Sequence, residues 1–139
     1  MQYLCLIYHP ECELAAMSDR EYDRLADEAV AHTRSLHERG YWVSSLTLES
    51  VSAATTLRVR RGKLSITDGP FAETQEQLGG YILIEARDLD EAIRVAGQIP
   101  SARIGSVEIR PVKDARRRPT PTSPGPTTLA HNACGTIGS

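Results

Sequence analysis

Residues 67–81 read T-D-G-P-F-A-E-T-Q-E-Q-L-G-G-Y and connect two segments with strand-like patterns. Before this stretch, residues 56–60 and 64–66 alternate apolar and polar side chains around Arg-Gly-Lys at 61–63, which predicts a β-hairpin. After it, residues 81–86 read Y-I-L-I-E-A, a further strand. The connection holds more carboxylates and turn-forming residues than a plain link needs. It therefore marks both a fold boundary and a candidate functional site.

The rest of the chain adds strands and two amphipathic helices. Residues 2–8, 42–48 and 107–111 have strand patterns, and helices are predicted after capping-box signals at Ser18 and Asp88, each followed three residues later by Glu. The order is strand, helix, strand, hairpin, strand, helix, strand. This order predicts an α+β, ferredoxin-like fold with a mostly antiparallel sheet and two helices on one face.

Two strands carry apolar side chains on both faces, at residues 3–8 and 81–84. Helices on one side of the sheet would leave the other side uncovered. A second sheet from another copy would cover it, so we expect a two-fold homodimer of the dimeric α/β-barrel type.

Composition divides the chain into a domain, residues 1–112, and a tail, residues 113–139. The domain has 12 basic and 17 acidic residues, a net charge of −5, which argues against nucleic-acid binding by the domain. The tail is basic and rich in Pro, Thr and Ser, which predicts disorder. Neither a signal peptide nor a membrane span is predicted, so a cytoplasmic location is expected.

Asp68 is the first candidate site residue. The following Gly69-Pro70 restricts the backbone, which would fix the direction of a carboxylate that accepts a proton or orients a substrate. The alternative is that Asp68 caps its own turn by binding the backbone of residues 70–72. Phe71 is the single Phe of the chain and would lie beside it.

Glu73 and Glu76 have the spacing that a helical turn would place on one side. Such a pair suits acid–base chemistry, and equally a solvated helical face. The Gly79-Gly80 pair predicts close backbone approach or a β-bulge. It does not match a phosphate-binding loop, and no cofactor is predicted.

The histidines and cysteines give weaker signals. His9, Glu11 and Cys12 are too close in sequence to converge on one ion, and three cysteines suggest neither a disulfide framework nor a zinc site, so no metal is predicted. On the first helix, the spacing places His37 beside the apolar stripe and His32 toward the polar side. Both are predicted to be structural or solvated.

The run D-G-P-F-A-E-T-Q-E-Q-L-G-G-Y-I-L-I-E resembles the signature of the DGPF-domain proteins within the YCII-related group. The flanking runs T-L-R-V-R-R-G-K, D-L-D-E-A-I and G-S-V-E-I-R-P-V agree, so the resemblance covers residues 1–112. It implies a ferredoxin-like fold that dimerises through its sheets. It also implies two alternative roles. One is catalysis by a histidine–aspartate pair, as in a dehydrochlorinase-like branch, and the other is an accessory role beside extracytoplasmic-function sigma factors.

Two functions follow. The first is a small-molecule-binding or accessory protein whose cleft is rimmed by Tyr8, Arg60, Asp68 and Phe71, with Glu73 and Arg110 as further binding residues. The second is a small lyase or hydrolase. In it, Asp68 would orient His9 as the general base, while Arg60 or Arg110 stabilises developing negative charge.

Overall fold

The computed structural model describes residues 1–116, which contain six strands, three helices and two 3-10 turns. The strands are β1 (Gln2–His9), β2 (Trp42–Thr47), β3 (Thr55–Arg60), β4 (Lys63–Asp68), β5 (Gln77–Glu85) and β6 (Ser106–Pro111). The helices are α1 (Glu11–Ala16), α2 (Asp19–Glu38) and α3 (Leu89–Ala96), and the 3-10 turns are Val51–Ala53 and Pro100–Arg103.

Four strands form one antiparallel sheet in the order β2-β5-β1-β6. Both long helices connect strands that are not neighbours in this sheet, which is the ferredoxin-like α+β arrangement that the sequence predicts. In the central register, Cys5 of β1 faces Ile82 of β5 on one side and Ile109 of β6 on the other. These apolar residues therefore lie in a row across the sheet.

The predicted helix signals act as expected. The Ser18 side chain accepts a hydrogen bond from the Glu21 N–H at 3.1 Å, and Asp88 accepts one from the Glu91 N–H at 2.9 Å. Gly40 follows α2 with a φ of 80°, which only glycine adopts without strain. Helix α1 was not predicted. It begins directly after Pro10, whose missing N–H costs nothing at a helix start.

The core lies between α2, α3 and one face of the sheet. Its least exposed large side chains are Leu36, Ile84, Val95 and Cys5, all under 2% exposed. Burial raises the pKa of the Cys5 thiol to about 11, so this thiol stays protonated at neutral pH.

On the opposite face of the same sheet, none of the helices of residues 1–116 covers the strands. Alternation along β1 and β5 turns Leu4, Leu6 and Leu83 to this side, and each is only half-buried. We call this surface the open sheet face. It carries the apolar residues that the sequence predicts on both sides of the strands.

The hairpin β3–β4 forms a separate two-stranded sheet and does not extend the main one. Its turn holds Arg61 at φ 52° and Gly62 at φ 74°, the backbone of a type I′ hairpin turn. We call residues 55–68 the arm. At its base, the Gly69 N–H donates to the Ala54 carbonyl at 2.7 Å, and the Thr56 hydroxyl donates to the Gly69 carbonyl at 2.8 Å.

The last described residues follow β6. The Val112 N–H donates to the Gln2 carbonyl at 2.9 Å and completes the sheet edge. Residues 113–116 have no regular structure. From residue 117 onward, the predicted tail of residues 113–139 lies outside the described residues and stays a prediction. Within residues 1–116, no helix combines the length and the apolar character needed to cross a bilayer.

Candidate functional site

A cavity of about 320 Å³ lies between α2 and the four-stranded sheet. Its apolar walls are Ile7 and Ile82 from the sheet, Leu25 from α2 and Ile99 from the segment after α3. The volume falls in the range of small-molecule sites. On α2, the lining residues Tyr22 and Val30 are 52% and 60% exposed, so the cavity opens to solvent along this helix.

Small side chains on both walls create this space. The helix contributes Ala26 and Ala29, and the sheet contributes Ser45, Gly79 and Gly80. A larger residue at the alanine positions would fill part of the volume, whereas a side chain on Gly79 or Gly80 would collide with the His9 ring or the Leu46 carbonyl oxygen. The cavity therefore follows from the sequence of the two facing elements.

His9 at the end of β1 lines the cavity, and two glycines make its position possible. A Cβ placed on Gly79 would lie 2.1 Å from the imidazole Cε1, and one on Gly105 would lie 2.0 Å from the Tyr8 carbonyl oxygen. Neither distance is sterically allowed. The β1–β5 pairing also shifts register here, from Ile7–Gly80 to Tyr8–Leu78, so Gly79 is the bulged residue. The predicted glycine bulge thus accommodates the His9 ring.

His32 is the second histidine of the cavity wall, so its predicted position toward the polar side of the helix was wrong. It lies on the same side of α2 as Leu25, Ala29 and Leu36, a series spaced by four, three and four residues. That spacing was the available signal. His37 instead is exposed and stacks on the Trp42 ring, with 4.0 Å between the ring centroids.

One nitrogen of the His32 imidazole is shielded from water without a hydrogen bond to compensate, which is energetically unfavourable. Its Nε2 is buried without a hydrogen-bond partner in the described part of the chain. Burial lowers the pKa of His32, and the charge of Arg39 lowers it further, while hydrogen bonding to the Val95 backbone opposes both effects. The neutral imidazole is therefore the favoured form inside the protein.

Among residues 1–116, the cavity lining contains no Asp, Glu, Lys or Arg. Its ionisable side chains in this part of the chain are His9, His32, Tyr22 and Tyr81. A shallower depression adjoins the cavity along α2, and Arg34 is the one charged residue that the described chain contributes to its lining. The cavity itself therefore offers apolar contact and a few hydrogen-bonding groups, and no side chain of fixed charge to pair with a ligand ion.

Asp68, at the end of β4, is exposed and pairs with Thr55 through the strand backbone, while its carboxylate makes no hydrogen bond or ion pair within residues 1–116. It bonds neither His9 nor the backbone of its own turn. The backbone beside it also differs from expectation, since Gly69 has a φ of 102° where the following proline predicted an extended residue. The Asp68–His9 pair is not formed as a direct hydrogen bond in the single chain, and its catalytic role stays a prediction.

Tyr8 and Arg110 lie together on the open sheet face, joined through Glu108. The Arg110 Nε donates to the Glu108 carboxylate at 2.6 Å, and this bond raises the pKa of Arg110. Burial and the Glu108 carboxylate raise the pKa of Tyr8. Neither Tyr8 nor Arg110 lines the α2 cavity.

The other predicted binding residues lie on the arm and on the connection after it. Arg60 is at the exposed end of β3, and Phe71 is 78% exposed. Glu73 is exposed as well. The segment around Glu73 and Glu76 is not helical, and Glu76 instead accepts a hydrogen bond from the Ser106 hydroxyl at 2.8 Å. The predicted catalytic and binding residues therefore lie in separate regions, namely the arm, the connection and the open sheet face. Among them, His9 alone lines the cavity.

Glu11, weighed in the sequence as a metal ligand, has a structural contact. Its carboxylate accepts the Val51 N–H at 2.9 Å and holds the 3-10 turn that precedes the arm. Among residues 1–116, no three His, Cys, Asp or Glu side chains are grouped in a way that could hold a metal ion.

Comparison with known proteins identifies the family of this chain. An uncharacterized protein of Rhizobium meliloti (strain 1021) is 39% identical over 114 residues, which are 81% of this chain and 92% of the relative. The protein-family model of the YCII-related domain matches residues 1–116, the same residues that form the sheet, the arm and the cavity. The chain therefore belongs to the YCII-related domain family.

Proposed function

We propose that this protein binds a small, uncharged, mostly apolar molecule in the cavity between α2 and the sheet. The observation that supports this function is a solvent-connected cavity of about 320 Å³ to which the described residues contribute no Asp, Glu, Lys or Arg. Transfer of apolar surface from water into such a space drives binding, and the histidines and hydroxyls orient the ligand.

A matched set of probes tests the proposed ligand class. Phenol and indole are neutral, whereas benzoate and benzylamine carry one charge on a similar framework. We expect ligand-observed NMR to detect phenol or indole, and to detect the charged compounds much more weakly, because the cavity supplies no counter-charge. Preferential binding of benzoate or benzylamine would contradict the proposal.

A blocking variant locates the binding site. Ala29→Phe would place an aromatic ring in the cavity, while Ala31→Phe makes the same change on α2 outside the cavity lining. We expect Ala29→Phe to weaken probe binding by at least about tenfold, since the ring takes the ligand's place, and Ala31→Phe to leave it unchanged. Equal affinities in both variants would place the ligand elsewhere.

A dehydrochlorinase-like lyase is the second candidate, and the position of His9 in the cavity supports it. In such a reaction the imidazole takes a proton from a carbon next to the C–Cl carbon, the double bond forms between these two carbons, and chloride leaves. Asp68 would orient His9 only after a rearrangement or from another copy. The test is chloride release from neutral chlorinated hydrocarbons by the wild-type protein and by the His9→Ala variant. A rate unchanged in His9→Ala would exclude this role.

We further propose that a second copy covers the open sheet face and forms a two-fold homodimer. The half-buried Leu4, Leu6 and Leu83 on this face support it, since apolar residues there lack a covering element. A monomeric mass in light scattering at micromolar concentration would contradict it.

An accessory role beside an extracytoplasmic-function sigma factor rests on the family resemblance alone. The cytoplasmic location expected from the sequence stays a prediction. Co-purification of a sigma factor with the native protein, and loss of the complex when the domain is deleted, would support the accessory role. Failure of a co-expressed sigma factor to bind would end it.

A further inference from the structure

The arm exposes a continuous apolar surface. The β3–β4 register places Leu57 opposite Ile66 and Val59 opposite Leu64, so all four side chains lie on one face. They are 61%, 63%, 55% and 60% exposed, respectively. Exposed aliphatic clusters of this kind mark surfaces that another molecule covers.

The arm also lacks the support that a hairpin normally receives. Within the described chain, β3 and β4 pair with each other and with no other strand. An isolated two-stranded sheet is marginally stable in water and needs packing against a further layer. The base of the arm is held by the Gly69 hydrogen bonds, while the apolar face beyond it has no cover.

The net charge of the arm favours a second copy of this chain as the molecule that covers its apolar face. Residues 55–68 contain four basic residues and one acidic residue, a net charge of +3, whereas the rest of residues 1–112 contains eight basic and sixteen acidic residues, a net charge of −8. The arm's cations are Arg58, Arg60, Arg61 and Lys63, and none of them has an ion pair within residues 1–116. A second copy of this chain thus offers the opposite charge.

We propose that the arm of each protomer docks on the other protomer of a homodimer. Its aliphatic face adds apolar contact to that of the open sheet face, and its cationic turn, residues 60–63, meets the acidic surface of the second copy. A two-fold axis makes this contact twice, once for each arm. The inference rests on the homodimer proposed above, and it adds that the arm supplies a large part of the binding energy.

Charge reversal on the arm tests the electrostatic part. Arg60→Glu with Lys63→Glu alters the two cations that lie opposite each other beside the turn and changes the net charge by −4. The control Arg20→Glu with Arg24→Glu on α2 makes the same change in charge, and neither arginine has an ion pair in the described chain. By sedimentation equilibrium, we expect the arm variant to raise the dimer dissociation constant at least about tenfold, and the control to leave it within about twofold. Equal effects of both variants would overturn the inference.

Removal of the apolar contact tests the other part. Leu57→Ser with Ile66→Ser alters one facing pair, and the four-stranded sheet does not depend on it because β3 and β4 pair only with each other. We expect this variant to be a folded monomer at micromolar concentration. Trp42 lies on β2, so an unchanged near-ultraviolet spectrum confirms folding. An unchanged dimer constant would overturn the inference.

A sheet-face variant separates the two proposals. If Leu6→Ser weakens the dimer while the arm variants do not, the sheet-to-sheet dimer stands and the arm inference fails. If the wild-type chain is a monomer at micromolar concentration, both fail. Arm-dependent binding of an oligonucleotide by such a monomer would identify nucleic acid as the occupant and likewise overturn the inference.

Crosslinking gives direct evidence of contact between copies. Lys63 is the sole lysine of residues 1–112, and Lys113 is the other lysine of the chain. A carbodiimide joins an amine to a carboxylate that it already touches. In a mixture of unlabelled and ¹⁵N-labelled protein, we expect Lys63 crosslinks of hybrid isotope mass that are lost in Lys63→Arg. Lys63 crosslinks found only within one chain would contradict the docked arm.

Discussion

The helix-covered face of the main sheet and the arm are built from the same kinds of residue, yet they differ in cover. On the main sheet, Ile84 is 1% exposed because helices close over it, whereas Ile66 on the arm is 63% exposed. Both are isoleucines in antiparallel strands with apolar cross-strand neighbours. Strand pattern therefore sets which residues share a face, and the next layer of structure decides whether that face is buried.

The cavity is intermediate between these two regions. Its floor includes Ile82, which is 6% exposed, and its rim includes Val30, which is 60% exposed. Because the facing residues are alanines on α2 and glycines on β5, their side chains do not fill the space between the helix and the sheet. The same helix layer that seals the core near Leu36 thus leaves room for a ligand nearer its N-terminal half.

The largest expected effect is the difference between Ile84→Ala and Ile66→Ala in the free energy of unfolding that each variant loses. We expect Ile84→Ala to reduce the free energy of unfolding by about 2–5 kcal/mol, since it leaves a cavity in a closed core. Ile66→Ala should cost less than about 1 kcal/mol under monomeric conditions, because its side chain is already in water. Urea denaturation at low protein concentration measures both. Similar losses would mean that the arm is covered within the single chain.

An intermediate effect is expected at the histidine–glycine contact. Gly79→Ala would push a methyl group into the His9 ring, so we expect a loss of about 1–3 kcal/mol in the free energy of unfolding. His9→Ala should relieve most of this loss when combined with Gly79→Ala. The double-mutant cycle measures this coupling. Additive losses would show that the ring does not lie against Gly79 in solution.

The smallest expected effect is a pH dependence that distinguishes buried His32 from exposed His37. Because the pKa of His32 is lowered in the folded state, the unfolded chain binds more protons as pH falls through the unfolded value of about 6.5. Stability should therefore decrease below that pH and level off below the lowered folded-state pKa. Urea midpoints between pH 7.5 and pH 5 should fall less in His32→Leu than in His37→Leu. Equal pH slopes would contradict the burial of the His32 imidazole.

Much of the fold could be predicted from the sequence because its determinants are local. The caps at Ser18 and Asp88, the turn at Arg61-Gly62 and the apolar periodicities each depend on neighbouring residues. The separation of the arm from the main sheet could not be predicted, since hairpin patterns do not specify which strand edge they join. Helix α1 was missed because six residues after a proline carry little periodic signal.

The candidate site was harder to predict. His9, which the sequence suggested as a general base, lines the cavity, while the residues chosen around the D-G-P-F turn lie elsewhere. Its catalytic role stays a prediction. Motif density drew attention to Asp68 and Phe71, which are exposed. The cavity instead depends on small residues from elements distant in sequence. Only the position of His32 on the Leu25–Leu36 series gave a local signal.

The burial of Cys5 has a consequence for measuring motion. Its thiol is fully enclosed and stays protonated, while the Cys12 thiol is exposed on α1. An alkylating reagent therefore reaches Cys12 in the intact protein but reaches Cys5 only in molecules whose helices have separated from the sheet. The rate at which Cys5 is alkylated therefore measures how often the interior opens, and the measurement needs no engineered probe.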